Sequence, residues 1–215
     1  MKLRTASTAQ DKIDEEFAWR LKEIADLKLQ TSLSLGDRRK TIIRSGVPLL
    51  YAHWEGFIKA SAQHFINFVS NQAIAYRELA PCFIVRSLRG HIAGLPGLGS
   101  YAQTIAGVQH LLTSLDQPSQ LSPNSPVATF SNLNSERFVE LALSIGVEVA
   151  PYSAKWNLID VSLLKRRNMI AHGEYLDIDH GAFIALCDDV IPLLRQFKND
   201  LENAITLKTY LVSAA

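Results

Sequence analysis

The sequence predicts an all-α protein, an antiparallel bundle of about five to seven helices with an irregular insertion at its centre. Three observations carry that expectation. Apolar residues return every three or four positions through most of the chain, no segment alternates apolar and polar residues as a half-buried strand would, and Gly and Pro gather in one central region, 90–134. At 215 residues and 47% hydrophobic content the chain suits a single domain, 1–215, with ample material for a core.

Between Asp11 and Leu35, Ile13, Phe17, Leu21, Ile24 and Leu27 make one apolar stripe among charged residues, and Gly36-Asp37 ends that helix. The second helix, the longest, covers Arg38 to Asn71, with Ile43, Val47, Leu50, Trp54, Ile58, Phe65 and Val69 along one side. Pro48 cannot donate to the carbonyl four residues back, so a kink or break is expected between Arg44 and Pro48. A shorter helix is predicted over Glu78 to Leu88, then a flexible Gly-rich connection and a further amphipathic helix over Tyr101 to Leu115. Asp116 to Asn134, with Pro118, Pro123 and Pro126, reads as a long surface loop. Helix resumes at Ser135 to Ile145 and stops at Gly146; Val147 to Asn157 reads as extended. Asp160 stands where an N-cap belongs for a helix Val161 to Ala171, Gly173 suits the left-handed residue beyond its end, and a last helix runs from Asp179 to Leu211, with a possible bend at Pro192.

The formal charge of +1 argues against a basic coat that binds nucleic acid indiscriminately but allows a local site. No apolar run approaches the roughly 18 residues that cross a bilayer, and Met1 to Glu16 alternates charges where a signal peptide would be apolar, so a cytoplasmic location is expected. Cys82 and Cys187, far apart in apolar stretches, read as buried free thiols. There is no Gly-rich phosphate loop before a helix, no Ser or Cys in a nucleophile context, and no carboxylate pair spaced to hold Mg²⁺.

The chemistry concentrates in Arg166-Arg167-Asn168-Met169-Ile170-Ala171-His172-Gly173-Glu174. A guanidinium is always charged and forks onto phosphate oxygens, while imidazole exchanges protons near neutrality. On a straight helix Arg167 and His172 are about 140° apart and share no face, whereas Asn168 and His172, four apart, do. Three arrangements would bring Arg167 and His172 to one site: a helix that ends and frees His172, an Arg side chain reaching back, or a second copy of the chain. The conservative reading is that Lys165, Arg166, Arg167 and His172 only offset the dipole at a helix C-terminus.

The order Arg167-Asn168-x-x-x-His172 resembles the Arg-polar-x-x-x-His hallmark of the HEPN superfamily (higher eukaryotes and prokaryotes nucleotide-binding), all-α bundles that include many metal-independent endoribonucleases. Similarity to stand-alone bacterial HEPN ribonuclease-like toxins and defence effectors extends to Tyr51-Ala52-His53-Trp54-Glu55-Gly56-Phe57-Ile58-Lys59, Ser131-Asn132-Leu133-Asn134 and Leu158-Ile159-Asp160. The resemblance implies a homodimer whose two motifs form one cleft for RNA, cleavage by attack of the ribose 2′-OH, and no cofactor or metal. It implies His172 as general acid or base, Arg167 as the stabiliser of phosphorane charge, Asn168 as a positioning residue, and Lys165 and Arg166 on flanking phosphates. An antitoxin or other inhibitory protein would be a further partner. The alternative it leaves open is a non-catalytic helical module binding RNA, a nucleotide or a partner protein.

Other residues have bland and sharp readings. Glu55 reads first as the partner of Lys59 one turn on, and second as a carboxylate that, with Tyr51, supports Arg167 or His172 from a neighbouring helix. His53 and His64 share a face but sit about 16 Å apart, too far for one ion. His91, His110 and His180 read as surface or loop residues. Trp54, Phe57, Phe65 and Phe68 suit core packing better than base stacking. Arg38, Arg39, Lys40 and Arg44, with Arg86 and Arg89, read as a solvated face or, less conservatively, as an RNA path.

Overall fold

A computed structural model describes residues 2–93, 100–124, 127 and 132–212. Among these residues there are seven α-helices and no β-strand, only the isolated bridges Ala75 to Pro118 and Leu79 to Leu211. The helices are α1 (Ala6–Leu33), α2 (Gly36–Ser70), α3 (Pro81–Ala93), α4 (Ser100–Thr113), α5 (Ser135–Ser144), α6 (Arg166–Ala171) and α7 (His180–Leu207). The all-α bundle expected from periodicity is the fold observed.

Helices α1, α2 and α7 form its centre. The two-residue link Ser34-Leu35 makes α1 and α2 an antiparallel hairpin, and α7 packs on both. Each contributes one ring to a column: Phe17 meets Phe57 at 5.9 Å and Phe57 meets Phe197 at 6.4 Å, both edge to face. Phe138 of α5 extends the column, 5.9 Å from Phe197 and 5.4 Å from Trp54. Trp54, Phe57, Phe65 and Phe68 are thus core residues, as their spacing suggested. A ring buried in such a cluster contributes a few kcal/mol, so Phe57→Ala would be among the costlier single changes.

Local chemistry moves several boundaries. Helix α1 starts at Ala6, earlier than expected, because Thr5 and Thr8 form a reciprocal capping box. Pro48 does not break α2, which is continuous from Gly36 to Ser70. Val47, Leu50, Tyr51 and Trp54 bury the turns around it, and that burial outweighs one lost hydrogen bond. At Gly46 a Cβ would lie 2.6 Å from the Phe183 ring, so glycine is what lets α2 and α7 approach there. Arg39 turns back to donate from Nε to the Ser34 carbonyl at 2.6 Å, closing the end of α1 instead of lining an RNA path. Arg86 likewise serves the fold, its Nη2 donating to Ser144 Oγ at 2.7 Å across α3 and α5.

Among its described residues, the loop expected after α4 is tied to the bundle at a few points. Leu121 and Val127 are buried, and Gln63 of α2 donates to the Pro123 carbonyl at 2.8 Å. The Gly-rich connection expected before α4 falls largely at 94–99, and Ser131 at 131, outside the described residues. Residues 150–171 are the largest departure from the sequence reading, since the expected extended segment is helical. A 3₁₀ turn, Ala150–Lys155, runs into a helix from Trp156 that has π geometry over Leu158–Lys165 and becomes α6. Tyr152 anchors this turn by donating its hydroxyl to the Asp200 carboxylate on α7.

Helix α7 is also unbroken at its Pro192, and ends four residues earlier than expected. Lys208 there takes the left-handed conformation (φ 56°), and the chain turns Tyr210 in beside Phe65 and Phe68. Cys187 is buried and Cys82 half-buried, both as free thiols, and burial pushes the Cys187 thiol up to about 12. No helix among the described residues is long and apolar enough to cross a membrane.

Candidate active site

The motif helix is held in place by α2 and by the start of α5. Ile159 and Leu163 are fully buried on its inner side. Asp160 is not an N-cap but an interior residue of the π segment. Its carboxylate reaches across to accept from the Ser135 amide at 2.7 Å and from the Ser135 hydroxyl at 2.5 Å, completing the N-terminus of α5. Asn134 caps the same helix through Arg137 N at 2.9 Å. In π geometry hydrogen bonds run between residues five apart, so the segment turns more slowly than an α-helix. The face that α6 turns to α2 is therefore offset from the one a 3.6-residue period gives.

Arg167 is the residue that this arrangement fixes. Its guanidinium carbon lies 4.3 Å from the centre of the Tyr51 ring, a cation–π contact, and its Nη2 donates to Asn132 Oδ1 at 3.1 Å. Tyr51 is itself buried on α2, where its hydroxyl accepts from the Leu133 amide at 2.6 Å. One turn further, Trp54 Nε1 donates to the Leu133 carbonyl at 3.3 Å. Two side chains of α2 thus hold both polar groups of Leu133, and the neighbouring Asn132 is presented to Arg167. Burial raises the Tyr51 hydroxyl to about 12, with the Glu55 charge pushing the same way against Arg167 and the Leu133 amide.

Glu55 therefore acts on Tyr51. It forms no ion pair within 4.0 Å with Lys59 or with Arg167. The Glu55–Lys59 pair expected from their spacing is absent: Glu55 is half-buried, Lys59 is exposed, and the Glu55 charge bears on the Tyr51 hydroxyl.

His172 lies where α6 stops. Its amide donates to the Asn168 carbonyl at 2.9 Å, Gly173 N to Ile170 O at 3.1 Å and Glu174 N to Met169 O at 2.9 Å. With Gly173 at φ 81° this is a Schellman motif, and the left-handed residue predicted there is present. The helix therefore ends at His172, as one of the three arrangements requires. The His172 ring is exposed and makes no hydrogen bond or ion pair among the described residues. Lys165 is exposed and Arg166 half-buried on the preceding turn, and Asn168 lies half-buried one turn below His172.

The sequence-predicted residues therefore divide into two groups. Arg167, Tyr51 and Glu55 converge, together with Asn132, a site neighbour that periodicity had no means of identifying and that only the Ser131–Asn134 resemblance hinted at. Asn168 and His172 stand at the helix end, with no direct side-chain bond to that group.

The other histidines are packed rather than free. His53 is 2% exposed in the α1–α2 seam, edge-on to Trp19 at 5.5 Å, and His64 Nε2 lies 3.9 Å from Glu16 Oε1. His110 on α4 packs edge-on to Tyr76 at 6.0 Å, and His180 opens α7 with its Nε2 3.3 Å from Ser32 Oγ, so both stand half-buried on helices rather than in loops. Nothing is described for the His91 side chain. Among the described residues no three His, Cys, Asp or Glu side chains converge as a metal cage. Buried Arg20, which the sequence reading overlooked, pairs with Glu16 and lies 4.2 Å over the Trp19 ring.

No curated protein and no solved structure matches the chain. The HEPN_MAE_28990-like HEPN family does match it, over residues 9–210, which takes in every helix of the bundle from α2 to α7 and all but the first turn of α1. With the motif on a helix end and an all-α bundle behind it, the chain belongs to this HEPN family.

Proposed function

We propose that the protein is a metal-independent endoribonuclease acting as a homodimer, in the role of a toxin or defence effector restrained by a partner protein. One observation carries the reading: Arg167 is fixed by Tyr51 and Asn132 on the same short helix whose end leaves His172 open to solvent. A cation that stabilises a transition state must already be oriented, whereas a proton-transfer group must reach the reacting oxygen.

In the proposed reaction His172 takes the proton of a ribose 2′-OH. The 2′ oxygen attacks the adjacent phosphorus, the bond from phosphorus to the 5′ oxygen breaks, and the departing oxygen takes a proton from the partner's His172. The products are a 2′,3′-cyclic phosphate and a 5′-OH, and no water is consumed. Arg167 offsets the charge that builds on the phosphorane oxygens, and Asn168 positions the imidazole or a ribose hydroxyl. Lys165 and Arg166 contact flanking phosphates, which makes binding salt-dependent and largely indifferent to sequence.

A second reading, a non-catalytic module for RNA, a nucleotide or a protein, is favoured by the same Arg167 contacts, since a guanidinium held by Tyr51 and Asn132 also serves as a structural tie between α6 and α2. Incubating the purified protein with RNA in excess EDTA separates the two. Cleavage leaving cyclic phosphate ends, lost in Arg167→Ala and in His172→Ala, supports the enzyme. Cleavage that persists in both variants rejects the site, and an inert wild-type protein with bound RNA supports the module.

A further inference from the structure

A cleft of about 250 Å³ lies between the first turns of α2 and the segment that follows the motif, lined by Asp37, Lys40 and Arg44 on one side and Tyr175 and Asp177 on the other. We propose that it holds one nucleotide of the RNA strand, with the phosphate on Lys40 and Arg44 and the base against Tyr175; this rests on RNA being the ligand.

Three features point to that occupant. Among the described residues Arg44 Nη1 is buried without a hydrogen-bond partner, and neither Arg44 nor Lys40 comes within 4.0 Å of a carboxylate oxygen, although Asp37 and Asp177 line the same cleft. A guanidinium donor with no acceptor among the described residues matches a phosphate, which is acceptor-only and binds arginine in a fork. Tyr175 is 75% exposed at the rim, a large ring left in water beside those cations. Aromatic rings so placed serve single-stranded RNA by stacking a base.

The cleft also shares a side of α2 with the residues that support the motif. Lys40, Arg44, Tyr51 and Glu55 fall within about 60° of one another around α2, one stripe running from the cleft to the residues that hold Arg167. Tyr175 follows His172 by three residues, so the two are separated by at most roughly 11 Å of chain. A strand crossing Arg167 and His172 needs one further nucleotide to enter.

The test is fluorescence anisotropy of fluorescein-labelled hexaadenylate on the full chain carrying His172→Ala, which removes cleavage from the measurement. Adding Lys40→Gln or Tyr175→Ala, both at exposed positions, is expected to raise Kd about tenfold each with circular dichroism and Tm unchanged. Affinity within twofold of the parent in either variant overturns the proposal, as does 5′-AMP binding as tightly as the oligonucleotide, which would make the occupant a free nucleotide. If wild-type protein cuts RNA while the cleft variants bind normally, only this inference falls. If the cleft variants lose binding and the wild type cuts nothing, the cleft stands and the ribonuclease reading falls.

Discussion

At the scale of single residues, the decisive contacts are those of Tyr51, which supports Arg167 with its ring and Leu133 with its hydroxyl. The two roles are separable. Tyr51→Phe keeps a ring under the guanidinium but leaves the buried Leu133 amide without an acceptor, a loss of about 1–3 kcal/mol. Urea unfolding should register that loss, while any RNA cleavage by the folded fraction stays within a fewfold of wild type. A variant as stable as wild type would mean that the Leu133 amide finds another acceptor. His53 makes a second residue-scale case. Burial, and then the Arg20 charge, hold its pKa down to about 4. Glu23 Oε2 stands 3.2 Å from Nε2 and pulls the other way, but that carboxylate is half-exposed and no hydrogen bond forms, so solvent screening leaves burial dominant. A depressed histidine pKa means that the unfolded chain binds the proton first. The protein should therefore lose stability as pH falls from about 6.5 to about 4, by up to about 3 kcal/mol. Denaturant midpoints across that window in wild type and His53→Leu provide the check, and the variant should show a flatter profile.

At the scale of elements, Asp160 connects the motif helix to α5, which is a different function from the cap its position suggested. Asp160→Ala removes the acceptor for Ser135 N and Oγ and should cost about 1–2 kcal/mol, with Asn134 still capping the helix through Arg137. A thermal shift indistinguishable from zero would place the capping role on Asn134 alone. The misreading is instructive about what a sequence discloses. Helices α1, α2 and α7 were legible because each buries one stripe with a 3.6-residue period, and Gly173 was legible because a left-handed helix end demands glycine at one position. Residues 150–171 were not, since 3₁₀ and π turns have periods of their own and leave no 3.6-residue stripe to follow. A carboxylate before an apolar run also looks the same whether it caps its own helix or another 25 residues away. The convergence of Tyr51, Asn132 and Arg167 depends on contacts 35 to 116 positions apart in sequence, beyond any local pattern. Only the resemblance placed those three segments together.

At the scale of the whole molecule, the proposed chemistry has a consequence that no single chain can supply. One motif carries one His172, and a transesterification that both removes and delivers a proton is served by two imidazoles, so the proposed cleft needs two copies related by a two-fold axis. This makes His172→Ala a dominant inhibitor. With wild-type protein fixed and a ninefold excess of the variant added and allowed to exchange, only about one wild-type chain in ten retains a wild-type partner under random pairing of a two-fold dimer. Cleavage should fall to about one tenth. A protomer that acts alone would be indifferent to the excess variant, apart from competition for RNA, which adding more RNA relieves. The comparison with Arg167→Ala is informative in the same experiment. If a wild-type Arg167 in one motif suffices to offset the phosphorane charge, excess Arg167→Ala should inhibit less steeply than excess His172→Ala, because a mixed dimer would keep both imidazoles and one oriented guanidinium. Equal, undiminished cleavage in both mixtures would reject the composite cleft and leave each chain as a complete unit.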